Sequence, residues 1–570
     1  MGKYISIILL TIAIFINAKS QTYPLPDNIK ADKILKRLAI KYPSHTVNHT
    51  SLDINVKDAI KFSAFLSDSI KDLSDKDIEN INYINTGLND WKLETKKLET
   101  SKSDETKGTF NLFYKNRSNF YAIHKDNFFM TVNPILNVNI GKDTKNDRLI
   151  FQNLRGIVLT GAIDKRISFY TSILETQQSF LTHIENKINR DLAIPGQGLY
   201  KNFNSSILDE VVGYDFLNSQ ANISFNLTKS IISQLGHGKF KIGNGIRSLL
   251  LSDYGQNYFY LKFDTRVWKF HYQNIFAELS AASHRQIAGD QLVPKKYMAA
   301  HYLNFAPNKN FEAGIFETVI FKRDNQFELQ YLNPIILYRS VEHFIGSPDN
   351  VLVGMDVKYN FLKRFSVYSQ LLLDEFNFSI LKDDNSWWGN KYGLQLGMKY
   401  IDVFNIDQLD IVVEANYVRP YTYSHTDSLK SYSHYNQALA HPLGGNFKEL
   451  IIDLDYMITK KWLLNANAIF ALQGIDKDEY SYGNNILRSN AFRPIDDQGI
   501  RIDYGYHIGS GVKKQLMQCK FNLSYMIFYN SYIDFNAIYY KEKIENSSPS
   551  TELYFGTGIR MNINMNNPDY

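Results

Sequence analysis

Between Gln256 and Leu279 the chain reads QNYFYLKFDTRVWKFHYQNIFAEL. Phe259, Leu261 and Phe263 place apolar side chains at odd positions, with Lys262 and Asp264 among the even ones. After Arg266 the phase flips: Trp268, Phe270, Tyr272 and Phe276 become the apolar set, and Lys269, His271 and Gln273 lie between them. A period of two sends successive side chains to opposite faces of a strand, so this stretch predicts two strands joined by a tight turn across residues 264–267. Each apolar face is rich in aromatic rings and runs for about ten residues, and a tilted strand crosses a bilayer in about 9–11. A soluble sheet alternates as well. Whether the chain repeats the pattern decides between the two.

It does, from about Phe110 to the C-terminus. Phe128, Met130, Val132, Leu136, Val138 and Ile140 share one face, while Thr131, Asn133, Asn137 and Asn139 share the other. The connections are of two kinds. Residues 225–231, 305–311, 359–365 and 456–462 are short turns carrying Lys or Arg, each with an aromatic ring on both sides. Such rings favour the bilayer interface while the basic turn stays in water. Residues 179–213, 280–296, 377–391, 420–448 and 473–499 read as long loops. Short turns on one side and long loops on the other is the layout of an all-β, antiparallel outer-membrane barrel. A soluble β-sandwich or propeller does not account for that alternation. At about 25 residues per strand with its share of loop, residues 109–570 hold roughly 18 strands, the last expected over residues 553–563.

Composition narrows the function classes. Aromatic residues make up 14% of the chain, with 38 Tyr and 37 Phe, which suits two aromatic girdles. Past the N-terminus there is no apolar run long enough for a spanning helix. The net charge of +5 is not concentrated in a patch that would suggest nucleic acid. A single cysteine, Cys519, excludes a disulfide framework and a cysteine metal site. Residues 1–20 read as a cleaved signal peptide: Lys3, an apolar core over residues 5–16, then Ala18-Lys19-Ser20. Residues 21–91 shift to helical periodicity. Ile34, Leu35, Leu38 and Tyr42 share one helical face before Pro43, Val56, Ile60, Phe65 and Leu66 outline a second helix, and Ser74 with Asp77 opens a third that Gly87 ends. This predicts a small periplasmic helical unit, followed by a charged linker at 92–108.

No catalytic constellation stands out. The glycine-rich residues 236–248 lack the Gly-Lys-Ser/Thr ending of a phosphate loop, and positive φ at a strand end accounts for the glycines. Asp374 and Glu375 point to opposite faces of a strand and cannot act as a joint acid–base pair. His425, His434 and His441 have spacings that do not suit a metal, and no G-x-S-x-G occurs. The reading is of a protein that is not an enzyme and has no cofactor. What remains is a surface rich in aromatic and amide groups. Trp387, Trp388, Tyr421, Tyr423, Tyr432 and Tyr435 are the candidate glycan-binding or loop-contact residues, because sugar rings need apolar faces to stack on and polar groups for their hydroxyls. The same mixture also folds long loops inward to plug a barrel.

Several stretches carry a family likeness: GNGIRSLLLSD (243–253), TRVWKFHYQNIFAEL (265–279), LNPIILYRSVE (332–342), GSPDNVLVGMD (346–356), WWGNKYGLQLG (387–397) and YNQALAHPLGGNFKEL (435–450). Together with Asn89-Asp90-Trp91, they resemble the Wzi-like capsule-assembly outer-membrane barrel family, and within it the branch of gliding-motility RemB proteins. The resemblance implies a barrel of about 18 strands with a helical unit at its periplasmic mouth. It implies a non-catalytic, lectin-like hold on surface polysaccharide, or a part in gliding motility. An accessory barrel of a type IX protein-secretion translocon is the alternative, and a diffusive porin would require an open lumen. The expected partners are outer-membrane lipid, surface polysaccharide and motility or secretion proteins, with no nucleic acid.

Overall fold

The computed structural model describes residues 29–93 and 118–564, apart from 146, 165, 205–211, 288, 290, 325, 336 and 376–385. The signal peptide read at 1–20 and nearly all of the linker read at 92–108 lie outside the described residues.

Four helices come first: α1 (Ile29–Lys41), α2 (Val56–Ser69), α3 (Asp75–Gly87) and α4 (Asn89–Leu93). Asn55 and Ser74 cap α2 and α3 by accepting the amides of Asp58 and Asp77, which satisfies backbone donors that have no partner within the helix. The next elements are β1 (Tyr121–Lys125), β2 (Phe128–Asp143), β3 (Arg148–Ile163), β4 (Ile167–Gln178), α5 (Thr182–Asp191), β5 (Tyr200–Asn204), β6 (Val212–Asn226) and β7 (Ile231–Gly238). Then come β8 (Tyr258–Val267), β9 (Phe270–Ser280), β10 (Lys295–Phe305), β11 (Phe311–Phe321), α6 (Tyr338–Ile345), β12 (Asn350–Phe361), β13 (Phe365–Glu375), β14 (Lys391–Tyr400) and β15 (Leu409–Val418). The small β16 (Ser433–His434) and β17 (Gln437–Ala438) precede β18 (Phe447–Met457), β19 (Trp462–Ile475), β20 (Val512–Phe528), β21 (Ser531–Ile544) and β22 (Ser550–Met561).

Each long strand pairs antiparallel with its neighbours, and β22 pairs with β2 from Leu136↔Met561 to Asp143↔Tyr554. That last ladder closes an 18-stranded barrel. Below the end of β22, β1 takes over the same edge of β2. Pro134, which has no N–H to donate, sits at this junction, and the Asn562 side chain donates to its carbonyl. The final strand therefore spans Ser550–Met561 rather than 553–563. The tight turn expected at 264–267 is instead Trp268-Lys269, with Trp268 at φ 55. Asp264 and Arg266 are still strand residues, polar because they face the lumen, where Asp264 meets His271 at 2.9 Å and Arg266 meets Asp58 of α2.

Alternation along the strands separates two environments. Val138, Ile140, Ile315, Leu396 and Phe535 point outward and are exposed, whereas Asn137, Glu312, Gln370, Glu414 and Glu449 point inward and are buried. The helical unit seats at the mouth ringed by the short turns. There Arg37 of α1 bridges Asp77 of α3 at 3.0 Å, Asp410 of β15 at 2.9 Å and the neighbouring Asp402. Short turns mark the periplasmic side of such barrels.

The connection between β11 and β12 (residues 322–349) has no counterpart in the sequence reading. It folds back down the outside of the wall as a strap. Tyr331, Tyr338 and Val341 bury the outward faces of Phe276, Tyr297, Ala299, Val319 and Phe321. Glu317, which points outward from β11, accepts the amides of Tyr338 and Arg339 at 3.0 and 3.2 Å and the His301 imidazole at 2.9 Å.

Arg37 holds the helical unit to the barrel through carboxylates on both, so Arg37→Ala should loosen that seat. Removing one partner of a buried ionic cluster costs about 3–5 kcal/mol. Hydrogen exchange across residues 29–87 is expected to accelerate while heat-modifiable gel mobility reports an intact barrel.

Candidate functional site

The bore is crossed by residues 239–257, the connection between β7 and β8. Gly243 sits at φ +121, and a Cβ there would stand 2.0 Å from Gln370 Nε2, so a close approach to the wall requires glycine. Wall side chains replace the secondary-structure partners that this segment lacks. Glu414 accepts the amides of Ile246 and Arg247 at 2.6 and 3.0 Å, and Gln370 accepts that of Leu249 at 2.8 Å. Leu249, Leu250 and Leu251 are fully buried in the main lumenal core. From the periplasmic side the loop after α1 reaches the same segment. Ser51 accepts the amide of Gly243 at 2.8 Å, and the Thr50 hydroxyl lies 2.7 Å from Asn244 Oδ1.

Two of the nominated tyrosines act on this plug. Tyr423 and Tyr432 stack at 5.8 Å and donate their hydroxyls, each at 2.8 Å, to the carbonyls of Leu249 and Leu250. The Tyr421 hydroxyl donates to the Ser481 carbonyl at 2.7 Å, and its amide donates to the Gly483 carbonyl of the far loop at 3.1 Å. At Gly483, with φ +78, any Cβ would fall 2.1 Å from Tyr421 N. Tyr435 donates its amide to Ser280 at 3.1 Å. All four rings are buried. Between them they tie the loop over residues 419–446 to the plug, to the end of β9 and to the loop between β19 and β20.

Trp387 and Trp388 lie differently, half-buried on the long-loop side. Trp388 donates its amide to Asp503 at 2.9 Å, and Ser386 accepts the amides of Gly505 and Tyr506. These bonds lay the tryptophan pair along the loop between β19 and β20. One face of Trp388 is taken by Arg493, whose guanidinium stands 3.7 Å from the ring centroid and pairs with Asp503 at 3.1 Å. Beyond them Phe492, Ile502 and Tyr504 are exposed. The structure thus joins Trp387 and Trp388 to Arg493, Asp503 and Tyr504, three residues the sequence reading did not single out. The sequence reading ended this loop at residue 499, whereas it runs to 511.

The loop histidines belong to the buried network. His434 accepts the Ser280 amide through Nδ1 at 2.9 Å and donates through Nε2 to the Asn257 carbonyl at 3.0 Å. Burial lowers its pKa to about 3. His441 meets Glu449 at 2.8 Å; burial holds its pKa down, with Glu449 opposing. Among the described residues no group of three or more metal-ligating side chains is assembled.

Closed ladders, outward apolar strands and a filled bore define an outer-membrane β-barrel built around an internal plug. The capsule assembly protein Wzi family model matches residues 219–551, and the chain belongs to that family. Among solved structures it is similar to Escherichia coli Wzi, described as an outer-membrane protein involved in group 1 capsule assembly and a carbohydrate-binding β-barrel. The TM-score is 0.56 at 12% identity, over 96% of this chain and 100% of that one. Pseudomonas aeruginosa OprD also matches, with a TM-score of 0.40 at 8% identity over 76% of this chain and 94% of that one. No curated protein sequence matches the chain.

A histidine held neutral by burial weakens the fold where the unfolded chain takes up a proton and the folded one does not. The contribution of His434 is intact above its unfolded pKa near 6.5 and falls as pH drops below it, by about 2 kcal/mol at pH 5. Protection factors at the Ser280 and Tyr432 amides, taken relative to intrinsic exchange at each pH, should therefore fall between pH 6.5 and 5, and His434→Asn should flatten that dependence.

Proposed function

We propose that this chain is a non-enzymatic outer-membrane barrel that holds polysaccharide at the cell surface. The observation that carries the reading is a family barrel whose bore is crossed by residues 239–257 while an aromatic and charged platform faces outward on the long-loop side. The plug leaves diffusion of solutes without a role, so the porin reading loses its support. The outward platform offers what a sugar needs: the Trp387 ring for C–H stacking, and Asp503, Arg501 and Tyr504 for hydroxyls. E. coli Wzi is described as carbohydrate-binding, which favours this use of the surface over a purely structural one.

A second reading, service in gliding motility or beside a type IX secretion translocon, draws on the resemblance of several sequence stretches to the gliding branch and on the helical unit facing the periplasm. Co-purification in mild detergent with stoichiometric motility or secretion subunits and no glycan would favour it.

For the polysaccharide reading, Trp387→Ala combined with Tyr504→Ala should reduce retention of surface polysaccharide about fivefold or more, since a lost stacking ring is worth about 1 kcal/mol or more. Barrel abundance and heat modifiability should stay unchanged. Normal retention in the double variant would remove this platform as the binding surface.

A further inference from the structure

One sector of the barrel's outer surface carries cations that the fold leaves without counter-charges. Lys448 is the second residue of β18, Lys513 the second of β20, and Lys541 and Lys543 lie in the last turn-ward stretch of β21, all at the long-loop end. Strand alternation turns these four side chains outward, and all are exposed. Their inward neighbour Lys514 is paired with Glu542 at 2.6 Å. Among the described residues none of the four outward ammonium groups makes an ion pair. Elsewhere the wall supplies such partners: Arg155 meets Glu175 at 3.0 Å, Lys295 meets Glu278 at 2.8 Å, and Lys142 meets Asp147. Glu545 accepts the Lys513 amide at 3.1 Å, and its single carboxylate leaves the four lysines with an excess of positive charge.

Register sets these lysines beside a groove. Across the ladders, Leu394, Tyr417, Lys448, Leu472, Gln515 and Lys543 stand in one row. Leu396, Ala415, Leu450, Phe470, Met517 and Lys541 stand in the next row toward the membrane centre. A groove of about 850 Å³ runs over the first part of both rows, from Leu394 and Leu396 to Phe470 and Leu472, and Lys448 and Gln515 line it as well. Leu394, Leu396, Leu450 and Phe470 are exposed along it. Ala415, with only a methyl group between Leu396 and Leu450, gives the groove its depth. Tyr417, stacked with Tyr392 at 6.3 Å, marks the level of the outer aromatic girdle, so the lysines stand where headgroups begin.

We propose that this sector of β14–β21 is a binding site for an outer-leaflet lipid with an anionic phosphate headgroup. Its acyl chain lies in the groove over Ala415. Its phosphate sits by Lys448 and Lys513, while Lys541 and Lys543 add their field from the neighbouring strand. Charge complementarity selects the occupant. A soluble anion would answer the lysines and leave the apolar groove bare, and a zwitterionic lipid would fill the groove and leave the lysines uncompensated. Clustered lysines at a membrane surface attract anionic lipid in this way.

The test uses the full chain in detergent micelles doped with equal amounts of dioleoyl phosphatidate and dioleoyl phosphatidylcholine, with retained lipid counted by native mass spectrometry. Phosphatidate should be retained about fivefold or more over phosphatidylcholine, and Lys448→Gln alone should cut its retention about fivefold. Replacing all four lysines by Gln should level the two lipids, and replacing all four by Arg should restore the preference. Ala415→Trp, which fills the groove, should lower retention of both. These side chains lie on the barrel surface, and heat-modifiable mobility verifies the fold of each variant. Equal retention of the two lipids by the unmodified chain, or a preference that survives the four Gln replacements, would overturn the proposal. Displacement of phosphatidate by millimolar glycerol 3-phosphate would also overturn it, by showing that the lysines take a free phosphate without the chain. Retention indifferent to Ala415→Trp would overturn the groove as the seat of the acyl chain.

Discussion

Within a bilayer no water reaches the backbone, so each N–H and C=O in the wall must find a partner inside the protein. The ladder between β22 and β2 meets that demand, and the remaining structure follows from the size of the ring it closes. Eighteen strands enclose a bore wider than wall side chains can fill. The lumenal faces of this barrel carry carboxylates and amides, and a carboxylate such as Glu414 has to be paired wherever the bore is dry. Residues 239–257 supply the pairing with backbone amides, and the leucines at 249–251 supply the apolar filling. Tyr423, Tyr432 and the loop after α1 then act on the plug, while the helices themselves grip the wall through Arg37 and Asp58.

Two groups of charges follow the same physical logic on opposite faces of the sheet. Inside, Arg37 sits against carboxylates from elements distant in sequence, and Lys358 and Arg560 each sit against a carboxylate of the preceding strand. Outside, Glu317 is tolerated because three donors converge on it beneath the strap. Ionisable groups at such depth are costly alone and specific when paired. They mark the places where an element has one permitted position, which is how the strap and the helical unit acquire fixed seats.

The barrel was legible in the chain because its strongest signal is local. Alternation of period two, together with aromatic rings flanking basic turns, depends only on a residue and its near neighbours. The capped helices were legible for the same reason, with Ser74 and Asp77 three residues apart. What escaped notice depends on distant partners. The turn at Trp268 was placed too early because Asp264 and Arg266 look like turn residues until His271 and Asp58 are known to face them. The strap went unread among the long loops, since nothing in the sequence says that Glu317 breaks the outward face to receive it. The tyrosines at 421, 423, 432 and 435 were assigned from their chemistry, but a ring with a hydroxyl serves a sugar or a buried carbonyl equally well. For Tyr423 and Tyr432 the hydroxyls go to the carbonyls of Leu249 and Leu250, a partner no local pattern names. Trp387 was nominated from composition, whereas its neighbours Arg493 and Asp503 became visible once two loops were seen to share hydrogen bonds.

The plug is gripped at both ends by groups that belong to different sides of the membrane. Tyr423 and Tyr432 hold the carbonyls of Leu249 and Leu250 from the outer loops, while Ser51 and Thr50 hold Gly243 and Asn244 from the periplasm. Only a handful of residues separates the two grips. A load applied to the outer loops, such as drag on anything attached to the cell surface, therefore passes along a short, nearly inextensible length of main chain to the helical unit below. The barrel is in this sense a through-bolt, its outer loops joined to its helical unit along one short length of main chain.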